Sequence, residues 1–274
     1  MTKVRNTNKL FVHLILILGS VMMLFPFIWM IITSLKTKPE SMKIPPQILP
    51  HVPQWSNYQQ IFDIFPFGNF YFNTFVSTIV IVIGQTLFCA LAAYAFARLE
   101  FPFKNVLFVM LLSILMIPGQ IFLIPQYLIV QKLGLLNTIP ALFLPGLFSA
   151  FGTFLLRQFF MTIPKEVEEA AIIDGCSRLR IFFTIILPLS KSALISQAIF
   201  ALLYGWNSLL WPLIINTSTE KMTLTAGLAQ LNGQHGTNYP LVMAGSFLAC
   251  IPLILVFLVF QKQFIEGIAL SGGK

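Results

Sequence analysis

The sequence predicts an all-α membrane protein with six transmembrane helices, and three observations carry that prediction. Of the 274 residues 57% are hydrophobic and only 9% charged, whereas soluble domains carry about 25% charged residues. Six apolar runs, at 11–33, 72–97, 105–130, 138–160, 192–215 and 238–260, each reach the roughly 20 residues that a helix needs to cross a hydrocarbon core of about 30 Å. With the N-terminus inside, twelve of the 17 Lys and Arg fall on the cytoplasmic side and five (Lys36, Lys38, Lys43, Lys132 and Lys221) outside. This positive-inside bias puts both termini in the cytoplasm and explains the net charge of +8 without nucleic acid.

The first run follows MTKVRNTNKL and is 23 residues long, longer than the h-region of a secretory signal. It ends in TSLKTK with no small-residue cleavage site, which predicts a retained span. The outer segment 34–71 is rich in proline (Pro39, Pro45, Pro46, Pro50, Pro53) and continues as SNYQQIFDIF. Ser56 is a suitable N-cap there. Tyr58, Ile61, Phe62 and Phe65 recur at helical spacing, predicting a short amphipathic helix lying on the membrane or on the bundle.

Later runs carry breakers: Pro118, Gly119 and Pro125 in the third, Pro145 in the fourth, Gly205 and Pro212 in the fifth, Pro252 in the sixth. Kinks are the ordinary consequence. In YGWNSLLWPL, residues 204–213, Asn207 and Ser208 put polar groups at membrane depth. Such groups either join helices or line a path, and both readings stay open.

Several functions are disfavoured. The six runs contain no Asp or Glu, so the intramembrane carboxylates of a proton-coupled carrier are missing. GxxxxGK[ST] and HExxH are absent, and no Ser/His pairing suits a hydrolase, so neither ATP binding nor catalysis is expected of this chain. Cys89 and Cys250 lie in spans and Cys176 in a cytoplasmic loop, which implies no disulfide framework. His13, His51 and His235 lack metal-ligand spacing.

The loop 161–191 breaks the apolar pattern. Glu166, Glu168, Glu169 and Asp174 are four of only nine acids in the chain. Thr162 and Pro164 signal the start of a helix of about eleven residues, and Gly175 its stop. Its acids suit the positive end of the helix dipole. Ser177 then caps a second helix, RLRIFFTIIL, which Pro188 interrupts. Val167, Ala170, Ala171 and Asp174 share one face, where alanines permit close approach of another backbone. With Gly175 turning the chain, this makes a compact knob presented to the cytoplasm. Ile172 and Ile173 beside the turn speak against a merely solvated loop.

Glu169, Ala170 and Ala171, then three residues, Gly175, nine residues, Ile185, one residue, and Leu187 with Pro188 together match the EAA motif. The chain therefore resembles permease subunits of ATP-binding-cassette (ABC) importers, the binding-protein-dependent transport inner membrane components. YGWNSLLWPL, TLTAGL and the closing FIEGIALSGGK resemble the carbohydrate-uptake branch and its maltose-permease-G-like subunits.

The resemblance implies the type I ABC importer permease fold, a single transmembrane permease domain over 1–274, with the EAA loop as cytoplasmic coupling helix. Carried over, Glu169 makes a charge-assisted contact to a cytoplasmic ATPase, Ala170 and Ala171 allow close docking, and Gly175 forms the turn. Asp174, Leu187 and Pro188 belong to the same coupling element. Trp206, Asn207, Ser208 and Trp211 are the implied candidates for the translocation path. Many relatives have an acid after the Trp-Asn pair where this chain has Ser208.

The implied partners are a second, maltose-permease-F-like permease, a pair of ATPase subunits that hold ATP and Mg, an extracellular or periplasmic solute-binding protein and the lipid bilayer, but no nucleic acid. No cofactor is implied on this chain. The implied location is the bacterial cytoplasmic membrane, spanned several times. A permease for a non-sugar solute, a self-contained carrier or channel, and an assembly protein whose acidic loop only recruits a partner are the alternatives.

Overall fold

The computed structural model describes residues 6–231 and 237–272, and among these the regular structure is entirely helical. Lys3, Arg5, His235 and Lys274 lie outside the described residues. In chain order the helices are α1 Asn6–Ser34, α2 Lys38–Ser41, α3 Ser56–Ile64, α4 Phe67–Arg98, α5 Lys104–Ser113, α6 Leu123–Lys132 and α7 Ile139–Phe143. They continue as α8 Ala150–Thr162, α9 Lys165–Ile173, α10 Arg178–Leu189, α11 Lys191–Trp206, α12 Leu210–Ile215, α13 Leu224–Ala229 and α14 Tyr239–Gly272.

Three stretches, Phe11–Ser34, Phe67–Arg98 and Tyr239–Lys262, are each long and apolar enough to span a membrane. Three bent pairs bring the possible spans to six: Lys104–Met116 with Gly119–Lys132 (103°), Ile139–Leu147 with Ala150–Thr162 (43°), and Arg178–Leu189 with Lys191–Trp206 (83°). The apolar run 105–130 is thus sharply folded at Pro118 and Gly119, where Pro118 has an extended ψ of 126°. Proline cannot donate the N–H that a continuous helix needs there. The run 192–215 also breaks: α11 ends at Trp206, and α12 starts after three intervening residues. In α14 the helix is continuous through Pro252, and it leaves helical angles at Phe260 (φ −106°, ψ 15°), where it kinks.

The chain divides into two compact units, Met1–Phe67 with Gly227–Ile254, and Gly68–Ala226 with Leu255–Lys274. In the first, α1 presents large apolar side chains all round from Phe11 to Ile28, the surface of a helix meant for hydrocarbon. Its C-terminus is pinned by α3: Asn57 Nδ2 donates to the carbonyls of Ser34 (2.8 Å) and Lys36 (2.9 Å). Tyr58 adds a hydroxyl contact to Ser34 Oγ at 2.6 Å. The amphipathic pattern of α3 needs two corrections. Ser56 is the first helical residue, because Trp55 before it already has helical angles and makes no side-chain cap. Phe62 is 53% exposed, whereas polar Asn57 is buried beside Ile61, because its amide satisfies carbonyls that α1 cannot.

In the second unit Cys89, Ala90, Ala93 and Tyr94 of α4 pack with Leu156 and Phe160 of α8, Ala171 of α9, and Ile181, Phe182 and Ile186 of α10. Further along α4, Gln85 Nε2 donates to Gly146 O (2.8 Å) and Gln85 Oε1 accepts from Gln197 Nε2 (3.0 Å). This buried amide chain joins three segments by the polar glue typical of membrane helices. A smaller cluster gathers Val130, Ala141, Leu142, Trp211 and Ile215.

Candidate functional site

The acidic loop begins where α8 ends. Ile163 and Pro164 are extended, and α9 then runs for nine residues from Lys165 with Glu166 and Glu168 in its first turn. It is two residues shorter than the sequence signals suggest, because Pro164 stands outside it and Asp174 is already its C-cap. Gly175 follows at φ +79°. The Gly175 N–H bonds Ile172 O and the Cys176 N–H bonds Ala171 O, both at 2.9 Å. This is a Schellman motif, whose left-handed residue is glycine because that backbone torsion is unfavourable for residues that carry a Cβ. Ser177 Oγ then accepts the Arg180 N–H at 3.3 Å, capping α10 as the sequence predicts.

Within α10 the backbone widens to a π turn over Phe182–Ile186, just before Pro188. A proline inside a helix has no N–H for the carbonyl four residues back, and a wider turn accommodates that gap. The chain bends at Ser190, two residues after the proline, where α11 departs.

The two faces of α9 differ sharply. Inward point Glu168 (4% exposed) and Ala171 (6%). The Glu168 Oε1 lies 2.8 Å from Arg98 Nε at the end of α4, and its Oε2 accepts from Tyr94 OH at 3.2 Å. Arg178 Nη1 stands 3.9 Å from the same oxygen. Arg98 in turn donates through Nη2 to Phe160 O (2.7 Å) and Ile163 O (2.5 Å). Outward point Glu166, Glu169, Ala170, Asp174 and Gly175, together with the apolar Ile173, which is 85% exposed. Leu179 and Phe183 of α10 are exposed as well. An exposed apolar surface rimmed by carboxylates has the chemistry of a protein docking face.

A second feature is an open cleft of about 450 Å³ lined by Gln120, Gln126, Tyr204, Asn207, Ser208 and Trp211, among others. Its wall is the break between α11 and α12. Trp211 is held rather than free, since its Nε1 donates to Ala141 O at 2.8 Å. Asn207 Nδ2 turns back to Leu203 O at 2.9 Å, and Thr225 Oγ1 donates to the carbonyl of Ser208. Amides, hydroxyls and aromatic rings side by side suit a hydroxylated solute.

Residues 85–268 match the family of binding-protein-dependent transport system inner membrane components. The chain belongs to this family. It is 35% identical to the sn-glycerol-3-phosphate transport system permease protein of Pectobacterium atrosepticum, over 96% of this chain and 97% of that one. The similarity to the arabinooligosaccharides transport system permease protein of Halalkalibacterium halodurans is 36% over 91% of both chains. In fold the chain is similar to a solved bacterial ABC transporter involved in the import of the acidic polysaccharide alginate, with a TM-score of 0.80 over 96% of this chain and 100% of that chain at 23% identity.

This permease is therefore a multi-pass inner membrane component, and the residues predicted from its sequence can be placed on it. Glu169, Ala170, Asp174 and Gly175 are exposed on and just beyond α9, while Ala171 packs inward. Leu187 is half-buried against the same core and Pro188 is exposed. Asn207, Ser208 and Trp211 line the cleft, whereas Trp206 is buried outside its lining. Sequence reasoning passed over Glu168, Arg98 and Tyr94 as functional positions. Adjacent glutamates on a helix point about 100° apart, and an arginine closing an apolar run was the signal that one of them would turn inward.

Proposed function

We propose that this permease subunit forms half of the path of an ATP-driven importer for a sugar, oligosaccharide or sugar-like phosphate, acting over its whole length as one transmembrane permease domain. A second, similar permease supplies the other half, and an external solute-binding protein delivers the cargo. A pair of cytoplasmic ATPase subunits, which hold ATP and Mg, docks on the outward face of α9. Both termini lie in the cytoplasm. The observation that carries this reading is the outward face itself, Glu169, Ala170 and Asp174 around exposed Ile173, set on a rigid helix closed by a Schellman turn. A short rigid element of this kind can pass on a rigid-body motion. The names of the relatives, one for glycerol 3-phosphate and one for arabinooligosaccharides, support a hydroxylated cargo. The polar and aromatic lining of the cleft beside Asn207 and Ser208 is compatible with it.

The test is uptake by cells carrying Glu169→Ala, with membrane insertion followed in parallel. A charge-assisted contact is worth roughly 1.5–3 kcal/mol, so ATPase association should weaken by about tenfold or more while the amount of inserted protein stays the same. Full uptake with full ATPase association would sink the assignment of Glu169.

A further inference from the structure

The base of α9 is built around one buried charge. Its inward face offers a methyl from Ala171 and the carboxylate of Glu168, and that carboxylate is the longer reach of the two. The Arg98 side chain is 4% exposed and that of Glu168 5%. Arg98 closes α4, the long helix whose other turns carry Gln85 and Tyr94. Through its second nitrogen the same guanidinium holds Phe160 O in the last turn of α8 and Ile163 O just beyond it. One arginine thus joins the ends of α4 and α8 to the underside of α9.

We infer that Glu168 and Arg98 act as a positioning strut, delivering displacement of α9 to α4 and α8 so that movement at the docking face becomes movement of the spans. This inference rests on the proposed docking of an ATPase to α9. Buried ion pairs are weak net stabilisers, because desolvation offsets most of their attraction. What they impose is geometry, since a planar guanidinium that donates to two carbonyls can keep a carboxylate beside it only in one arrangement. An apolar contact at this place would let α9 slide; a shared guanidinium does not. The Tyr94 hydroxyl on the other carboxylate oxygen further restricts the rotation of Glu168.

The experiment uses the full transporter with its ATPase in native membrane vesicles, measuring ATP hydrolysis, solute uptake and retained ATPase on one sample. Glu168→Gln keeps the shape and removes the charge. The strut requires that ATPase stays bound and hydrolysis continues, while solute moved per ATP falls about fivefold or more. A Glu168→Gln permease with ordinary uptake per ATP overturns the inference. So does a loss of uptake that follows loss of ATPase in proportion. If Glu168→Gln fails to insert, Tyr94→Phe takes its place, because it deletes one hydroxyl and leaves the ion pair intact. Its uptake per ATP should fall about twofold, and an unchanged ratio overturns the strut. Failure of docking appears as lost ATPase in Glu169→Ala, and failure of the strut as an unchanged ratio in Glu168→Gln with ATPase bound.

Discussion

Gly175 shows how much one backbone torsion can decide. Its φ of +79° lies in the left-handed region, and a Cβ built there meets no heavy atom within 4 Å. The obstacle to another side chain is therefore torsional rather than steric crowding by neighbours. A left-handed conformation costs an L-residue about 1–2 kcal/mol, and β-branched residues suffer most. Gly175→Val should reopen the Schellman turn, tilt α9 and remove most uptake, whereas Gly175→Asn should keep most of it because asparagine tolerates this region. Uptake assays on the two variants check this. Equal activity of both would show that the turn has no role in transport.

Among the elements, α4, α8 and α11 meet through small residues and buried amides as well as through large apolar side chains. A Cβ on Gly152 of α8 would lie 2.5 Å from Nε2 of Gln197, which is 1% exposed and bonded to Gln85 at 3.0 Å. Gly152→Ala should therefore push Gln197 off its partner. Overpacking costs about 1–3 kcal/mol, and the outcome expected in detergent is a lower thermal inactivation temperature. Gly119→Ala is the comparison, since a Cβ there meets nothing within 4 Å. If both alanines inactivate at the same temperature, the close approach of α8 and α11 is not what holds these helices. Also at this scale, the π turn of α10 follows from Pro188, so α10 reaches Ser190 as one helix before the 83° bend.

For the whole molecule, the exposed apolar surface of α1 and the exposed outer face of α9 ask for different partners. The first suits lipid or another membrane subunit; the second, with its carboxylates, suits a soluble protein. Extracted in mild detergent from its native membrane, the tagged permease should bring down a second permease and an ATPase, identified by mass spectrometry. Recovery of this chain alone, from membranes that still transport, would overturn the subunit reading in favour of a self-contained carrier.

The sequence by itself determined the membrane class, the apolar runs, the acidic loop, its glycine turn and its serine cap. These rest on hydropathy, on helix start and stop signals and on the φ preference of one residue, all of which are local properties. Only the tertiary structure decided which way each side chain faces. Glu168 and Glu169 are the same residue type side by side, and Arg98, far earlier in the chain, takes one inward and leaves the other exposed. Ala171 shares the motif of Ala170 but joins the core, since its position three residues after Glu168 puts both on one face. Trp211 counted in the sequence as an aromatic for the path, yet its N–H belongs to Ala141 O. The folds of the third and fourth runs were visible as prolines, but their angles were not, because a breaker permits a bend and the neighbouring helices set how far it goes.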